Sequence, residues 1–239
     1  MTFSRERVLI IGGSSGMGLA LAERLLAKSC EVTIAGRSGD KLAAAQKALG
    51  PVRTHATDIG SEDSLKALFA QTGPLDHIVV TAADIRGAYQ LLPDLGLDAI
   101  RRAIDSKVVG PLLVAKHGAP NLSPGGSLTF TSGIAAYRPS PRGTVVAAIN
   151  GALESLVYAL AVELAPIRAN VVSPGWTDTP IWDTIAGDQR AAYLDGMAER
   201  LPVGRVGQAS DMADAIDFLM HNGFTNGTLL HVDGGHRFV

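Results

Sequence analysis

The stretch "RVLIIGGSSGMGLALAERLLAKS", residues 7–29, decides the fold of this chain. Its first part is a short apolar run that stops at glycines, and its second part spaces apolar residues helically from Leu19 to Leu26. The pattern predicts a buried strand followed by a helix, with a tight glycine-rich turn between them. Chains that repeat this unit form parallel sheets, because each helix carries the chain back to the edge where the strand began.

The same unit recurs along the chain. Strand candidates are "EVTIAG", "VRTHATD", "DHIVVTA", "GSLTFTSG", "IRANVVSPG" and "GTLLHVDGG", and helical segments lie near residues 39–49, 61–72, 97–118, 144–165 and 209–221. Apolar strands joined by crossover helices predict a parallel sheet covered on both faces. We expect one α/β domain over residues 1–239, with a Rossmann-type doubly wound sheet of about seven strands. Residues 180–204 follow a strand end and are expected to form a substrate lid.

Composition and charge exclude several classes of function. The net charge of the 239 residues is −2 and no run of like charges occurs, so neither nucleic acid nor a membrane is expected as a partner. The single cysteine, Cys30, cannot form an intramolecular disulfide. No apolar stretch of signal-peptide length precedes the first strand, and no apolar run is expected to approach membrane-spanning length, so we expect a cytoplasmic protein. The histidines follow no metal-ligand spacing, and no G-x-S-x-G elbow occurs, which predicts neither a metal site nor a serine hydrolase.

The glycine-rich turn "IIGGSSGMG", residues 10–18, is the first candidate binding element. In parallel sheets of this kind, ligands bind outside the carboxyl ends of the strands. Glycines there let the backbone approach a pyrophosphate, and the following helix presents its N–H groups. The residues expected to bind the phosphates of a dinucleotide are Gly12, Ser14, Ser15, Gly16, Met17 and Gly18. The alternative is a turn that needs glycine for steric reasons only.

The sequence "IAGRS", residues 34–38, ends the second strand and bears on the choice of cofactor. An NAD site usually has a carboxylate near this point for the ribose 2′-hydroxyl, but here Arg37 and Ser38 follow Gly36. A guanidinium group matches phosphate oxygens, and the missing carboxylate removes a repulsion that disfavours NADP. The pattern favours NADP(H) over NAD(H). The alternative is a surface arginine that opens the next helix.

With its G-x-x-x-G-x-G turn and the segments "ATDIGSEDSL", "NVVSPGWTDTP", "LPVGRVGQASDMADAIDFL" and "LLHVDGG", the chain resembles the short-chain dehydrogenase/reductase family over nearly all its length. The resemblance implies an NADP(H)-dependent oxidoreductase that acts on a small carbonyl or alcohol substrate. It also implies further cofactor-binding residues, which are Asp58, Ile59, Ala82, Ala83, Pro174, Gly175, Thr177 and Thr179.

The resemblance further implies a homotetramer or homodimer joined through the helix of residues 144–165. This segment is apolar on all sides over residues 144–162. A helix that is apolar all round has to be covered on all sides, which fits an interface between subunits. The alternative is a helix that is buried completely within one chain.

The chain departs from the family at its catalytic positions. The family has a serine after the fifth strand, which is Ser132 here, but its tyrosine and lysine positions hold Val146 and Asn150. The asparagine of the preceding helix is replaced by Lys107. Carbonyl reduction needs a proton for the nascent alkoxide, and a positioned acid contributes about 10²–10⁴ in rate. Valine cannot supply that proton.

Relative to the family, lysine and asparagine are exchanged between two positions of one pocket. We therefore predict that Ser132, Lys107 and Asn150 are the catalytic residues. Lys107 is expected to act as the proton donor or as electrostatic support for Ser132, because burial and nearby charges shift the pKa of a lysine. Asn150 is also expected to bind the cofactor.

Alternatives remain for these residues and for the whole protein. In one alternative, Lys107 has no catalytic role and either pairs with Asp84 or Asp105 or reaches solvent. Tyr137, five residues after Ser132, is a second candidate for the proton donor, although a tyrosine before "RPSP" is also typical of a packed turn. Loss of the tyrosine and lysine beside an intact adenylate half also fits a catalytically inactive NADP(H)-binding sensor or scaffold.

Overall fold

A parallel sheet forms the centre of the protein, whose residues 5–239 are described by a computed structural model. Its strands are β1 (Arg7–Ile11), β2 (Glu31–Gly36), β3 (Arg53–Ala56), β4 (Leu75–Val80), β5 (Leu122–Thr131), β6 (Arg168–Pro174) and β9 (Leu229–Val232), while β7 (Thr177–Asp178) and β8 (Gly207–Gln208) form a separate short pair. The order across the sheet is β3-β2-β1-β4-β5-β6-β9. The prediction of a doubly wound sheet with about seven strands is confirmed.

The predicted helical segments are helical in the structure with one difference, and the segment predicted as a lid adds two short helices, α7 and α8. They are α1 (Gly16–Ala27), α2 (Gly39–Leu49), α3 (Glu62–Thr72), α4 (Leu97–Ile104), α5 (Gly110–Gly118), α6 (Thr144–Glu163), α7 (Ile181–Ile185), α8 (Arg190–Ala198) and α9 (Ala209–His221). The single helix expected over residues 97–118 is wrong, because a π-helical turn, Asp105–Val109, separates α4 from α5. Such turns are frequent at functional sites, and this one carries Lys107.

Helices cover both faces of the sheet, which explains why its strands are apolar throughout. In β1, Leu9 and Ile11 belong to the core against α3, α5 and α6. Val8 and Ile10 belong to the core against α1, α2 and α9. Successive side chains of a strand point to opposite faces, so a sheet covered on both sides needs apolar residues at every position.

Helix α6 is an exception to the expectation that no apolar run approaches membrane-spanning length. Its 20 residues, with a mean hydropathy of 1.8, are long and apolar enough by length and composition. Half of this stretch is buried inside the protein, as in a core helix. The remainder includes Tyr158 and Val162, which are 50% and 81% exposed. The alternative of complete burial within one chain is therefore wrong.

The segment of residues 180–204 is attached at its base by β7 and β8. Thr177 pairs with Gly207 in this short parallel ladder. The buried indole of Trp182 donates to the Thr177 carbonyl at 2.9 Å, and Arg190 contacts the Asp178 carboxylate at 2.6 Å. The segment contains α7 and α8 and follows the carboxyl end of β6. Its role as a substrate lid stays a prediction.

Candidate cofactor and active site

The glycine turn brings α1 close to β1 and β4. Gly12 has a φ of +102°, and a Cβ on it would lie 2.5 Å from Thr81 Oγ1. A Cβ on Gly18 would lie 2.4 Å from the Gly12 carbonyl oxygen. Steric need alone therefore accounts for these two glycines. The turn nevertheless leaves a binding element, because the N-cap residue Ser15 makes no side-chain hydrogen bond to the first N–H groups of α1.

A cavity of about 620 Å³ lies at the carboxyl ends of β1 to β4. This volume is within the range of about 300–1,000 Å³ that is usual for ligand and cofactor sites. The predicted cofactor-binding residues that line it are Gly12, Ser14, Ser15, Gly16, Met17, Arg37, Ser38, Asp58, Ile59, Ala82, Ala83 and Thr179. Residues that follow four different strands are thus brought to one site, as expected for parallel strands that end at one edge.

The other predicted cofactor residues lie outside the wall of this cavity. Gly18 packs behind the turn. Pro174 ends β6 and Gly175 follows it, where a Cβ on Gly175 would lie 2.7 Å from the Asp233 backbone. Thr177 donates its hydroxyl to the Gly175 carbonyl at 3.2 Å. Pro174, Gly175 and Thr177 also lie at the carboxyl ends of the strands, on the β6 side of the sheet and away from β2 and β3.

The cavity carries charges of both signs. Its cations include Arg37, Lys41, Arg86 and Arg102, and its carboxylates include Asp58, Asp84 and Asp105. Lys41 was not predicted from the sequence; it lies in the first turn of α2, whose N-cap residue, Ser38, directly follows Arg37.

Asp84 joins two of the cavity's arginines. Its carboxylate contacts Arg86 at 2.6 Å and Arg37 at 2.5 Å. These guanidinium groups, Arg86 foremost, hold the pKa of the Asp84 carboxyl well below its usual range, although burial raises it. The arginine predicted to bind a 2′-phosphate is therefore paired with a carboxylate in this structure.

Lys107 is buried near the end of β5. Its amine donates to the carbonyl of Thr131 and, at 3.4 Å, to that of Ser132. Burial lowers the pKa of Lys107 to about 8, against the opposing effect of the Glu154 carboxylate. Within residues 5–239 the amine forms no ion pair, and its side chain is only 7% exposed. The alternative in which Lys107 pairs with Asp84 or Asp105, or reaches solvent, is wrong.

A buried carboxylate, Glu154, links two of the candidate residues. Ser132 donates its hydroxyl to Glu154 Oε1 at 2.5 Å, and the Tyr137 hydroxyl donates to Oε2. Burial and the bond to Glu154 raise the pKa of Tyr137, which makes it a poorer proton donor. Tyr137 also packs edge-on against His231, with ring centroids 4.6 Å apart. These contacts correspond to the packed-turn alternative for this tyrosine.

Asn150 lies one helical turn before Glu154 on α6. Its Nδ2 donates to the Gly133 carbonyl at 3.3 Å, and a Cβ on Gly133 would lie 2.9 Å from that nitrogen. Gly133 therefore faces Asn150, and the Ser132 side chain is directed to Glu154 instead. Asn150 Oδ1 is buried and has no hydrogen-bond partner among residues 5–239. A buried acceptor without a partner costs about 1–3 kcal/mol, so a ligand hydroxyl that satisfied it would be stabilised.

A cluster of residue types that can bind metals lies at the end of the strands opposite the cavity, and sequence spacing did not reveal it. Ligand-type atoms of Glu6, His77 and His221 lie within 4.8 Å of one another. His221 Nε2 is 2.9 Å from Glu6 Oε2, and His77 Nδ1 is 2.8 Å from Ser127 Oγ. Hydrogen bonds thus account for this arrangement, and the expectation that no metal is bound stays a prediction.

Comparison with known proteins places the chain in a family. The family model described as enoyl-(acyl carrier protein) reductase matches residues 12–237. The short-chain dehydrogenase/reductase fsr5 of Gibberella fujikuroi is 35% identical over 96% of this chain and 94% of its own length. The cis-4-hydroxycyclohexanecarboxylate dehydrogenase of Sinomonas cyclohexanicum is 34% identical over 98% of each chain.

Solved structures agree with this assignment. A small-chain dehydrogenase crystallised in complex with NADPH is 36% identical and superposes with a TM-score of 0.87 over 99% of this chain and 100% of its own. The MalC reductase/Diels-Alderase of Malbranchea aurantiaca is 32% identical, with a TM-score of 0.89 over 97% and 96% of the two chains. Together with the glycine turn and the order of the strands, these matches show that the chain belongs to the short-chain dehydrogenase/reductase family of oxidoreductases.

Proposed function

We propose that this chain is an NADP(H)-dependent oxidoreductase that acts on a small carbonyl, alcohol or related substrate through an atypical proton-donating site. The observation that carries the proposal is the cavity at the carboxyl ends of β1 to β4. It combines free N–H groups at the start of α1 with the cations Arg37 and Lys41, which suits a dinucleotide with three phosphate groups. The NADPH bound by a similar solved protein supports the same reading.

Each part of the cofactor has residues that fit it. The glycine turn would hold the pyrophosphate, Arg37 and Ser38 the 2′-phosphate, and Asp58 and Ile59 the adenine. The nicotinamide half would be held by a second group of residues, namely Ala82, Ala83, Asn150, Pro174, Gly175, Thr177 and Thr179. The unpartnered Oδ1 of Asn150 is the acceptor that this half would satisfy. The chemistry that NADPH would supply at this site, when bound, is hydride transfer.

In this proposal Lys107 supplies the proton. The proposal assumes that Val146 and Asn150 occupy the family's tyrosine and lysine positions. A pKa of about 8 keeps the amine largely protonated at neutral pH and still able to release its proton. Ser132 takes part as the link between Lys107 and Glu154, because its carbonyl accepts from the amine and its hydroxyl donates to the carboxylate. The proton would therefore come from the Lys107 amine instead of a tyrosine, and these bonds would position the amine and the Ser132 hydroxyl.

An activity screen tests the proposal. Aldehydes, ketones, quinones and imines are incubated with the protein and NADPH, and loss of NADPH absorbance is followed with and without each substrate. Turnover of any class supports the oxidoreductase, and variants of Lys107, Ser132 and Asn150 then define the site. If NADPH binds but no substrate of these classes is reduced, the sensor or scaffold reading replaces it.

Assembly is a further prediction of the proposed function. We expect a homodimer or homotetramer, because the part of α6 outside the core exposes Tyr158 and Val162 as an apolar surface. Size-exclusion chromatography with light scattering measures the mass directly. Val162→Glu places a charge in this surface and is expected to weaken the assembly, while Lys66→Glu, at an exposed side chain on α3, serves as the control. A monomer at micromolar concentration would refute the interface role of residues 144–165.

A further inference from the structure

Asp84 has two partners of different accessibility. Its side chain is 5% exposed, whereas those of Arg37 and Arg86 are 47% and 64% exposed. Its backbone is fixed as well, because the Asp84 N–H donates to Ser106 Oγ at 2.9 Å. The carboxylate is therefore a fixed anchor, and the two arginines are the groups that are free to move.

The pair of Arg37 and Asp84 stands across the cofactor cavity. Arg37 directly follows β2 and Asp84 lies shortly after β4, and both strands neighbour β1. An ion pair between them therefore passes beside the carboxyl end of β1, where the glycine turn begins. Arg37, Asp84 and the glycine turn all line the same cavity. Arg37 uses one nitrogen, Nη1, for this bond, so a phosphate that binds Nη1 and Nη2 together competes with the carboxylate for Nη1.

Arg86 lowers the free-energy cost of separating Arg37 from Asp84. Its Nε donates to Asp84 Oδ1 at 2.9 Å and its Nη2 to Oδ2 at 2.6 Å, so it binds both carboxylate oxygens. Leaving a buried charge without a partner is strongly unfavourable. Because Arg86 alone satisfies the carboxylate with two parallel bonds, Arg37 can leave without stranding the charge of Asp84.

We propose that Asp84 is a latch on Arg37, released when a phosphorylated dinucleotide binds. In the unliganded protein the carboxylate takes the place of the 2′-phosphate on Arg37. On binding, the phosphate becomes the partner of Arg37, and Arg86 retains Asp84. This inference rests on the proposed binding of NADP(H). It adds that Asp84 lowers the affinity of the protein for NADP(H) and that Arg86 raises it.

Isothermal titration calorimetry with NADPH tests the latch through the signs of two variants. Asp84→Asn removes the competing charge with little change of shape, so NADPH is expected to bind up to about fivefold tighter, the range of a partly exposed ion pair. Arg86→Met makes Asp84 dependent on Arg37, so binding is expected to weaken by a similar factor. In the Asp84→Asn background, Arg86→Met is expected to have no further effect.

Controls separate the latch from loss of structure and from general charge effects. Lys41→Met removes another cation of the same cavity that bonds neither Asp84 nor Arg86, so its effect should persist in the Asp84→Asn background. Thermal unfolding checks each variant, and Asp84→Ser replaces Asp84→Asn if the latter does not fold. Weaker or unchanged binding by both folded Asp84 variants would overturn the latch alone. If the wild-type protein binds neither NADPH nor NADH, the proposed function fails together with it.

Discussion

Replacing Lys107 by methionine is expected to lower kcat for carbonyl reduction by about 10²–10⁴, the usual contribution of a positioned acid. Methionine keeps an apolar stem of similar length in this buried position but removes the amine that donates to Thr131 and Ser132. Steady-state kinetics on any substrate found in the screen, together with calorimetric NADPH binding, measure the effect. Lys116→Met is the matched control, because Lys116 lies on α5 with an exposed side chain that pairs with Glu62.

The pH profile provides a second readout for Lys107. Its pKa is lowered to about 8, and the reduction needs the protonated amine, so kcat of the wild-type protein should fall as the pH rises through this value. The Lys107→Met variant should lack this decline. A variant with full kcat and unchanged NADPH affinity would show that the exchange of lysine and asparagine has no catalytic meaning.

Wild-type protein is expected to bind NADPH at least about tenfold more tightly than NADH, and Arg37→Ala should remove most of the difference. A charge-assisted contact to phosphate contributes about 1.5–3 kcal/mol, which corresponds to a tenfold or larger change in affinity. Calorimetry with both nucleotides gives the two affinities for each protein. Lys47→Ala, in the last turn of α2, the helix that begins just after Arg37, is the control for loss of a positive charge. Equal affinities of the wild-type protein for the two nucleotides would contradict the assignment of Arg37.

The strands and most helices were predictable because their signals are local. Val8 to Ile11 are all apolar, as a strand covered on both faces requires, and glycines mark where it ends. The break between α4 and α5 has no such signal. Gly110, directly after the break, packs so closely that a Cβ there would lie 2.7 Å from the Ile59 side chain. Contacts between residues so far apart in the chain are set by the sheet order and not by periodicity.

The cofactor side of the site was predictable for a similar reason. Each predicted residue, such as Arg37 or Asp58, follows a strand, and parallel strands end at one edge. The charge pairing within the site was not predictable. Arg37 and Asp84 are 47 residues apart, and they meet because β2 and β4 both lie next to β1.

The sequence by itself determined which reactive groups this protein offers. The segment that forms helix α6 contains no lysine and a single tyrosine, Tyr158. Only the tertiary structure decided what the remaining groups do. Burial near β5 brings the pKa of Lys107 towards neutrality, and packing against α6 directs Ser132 to Glu154. Composition fixes which side chains are present, but desolvation and hydrogen bonding fix their protonation and direction, and both arise only when distant segments meet.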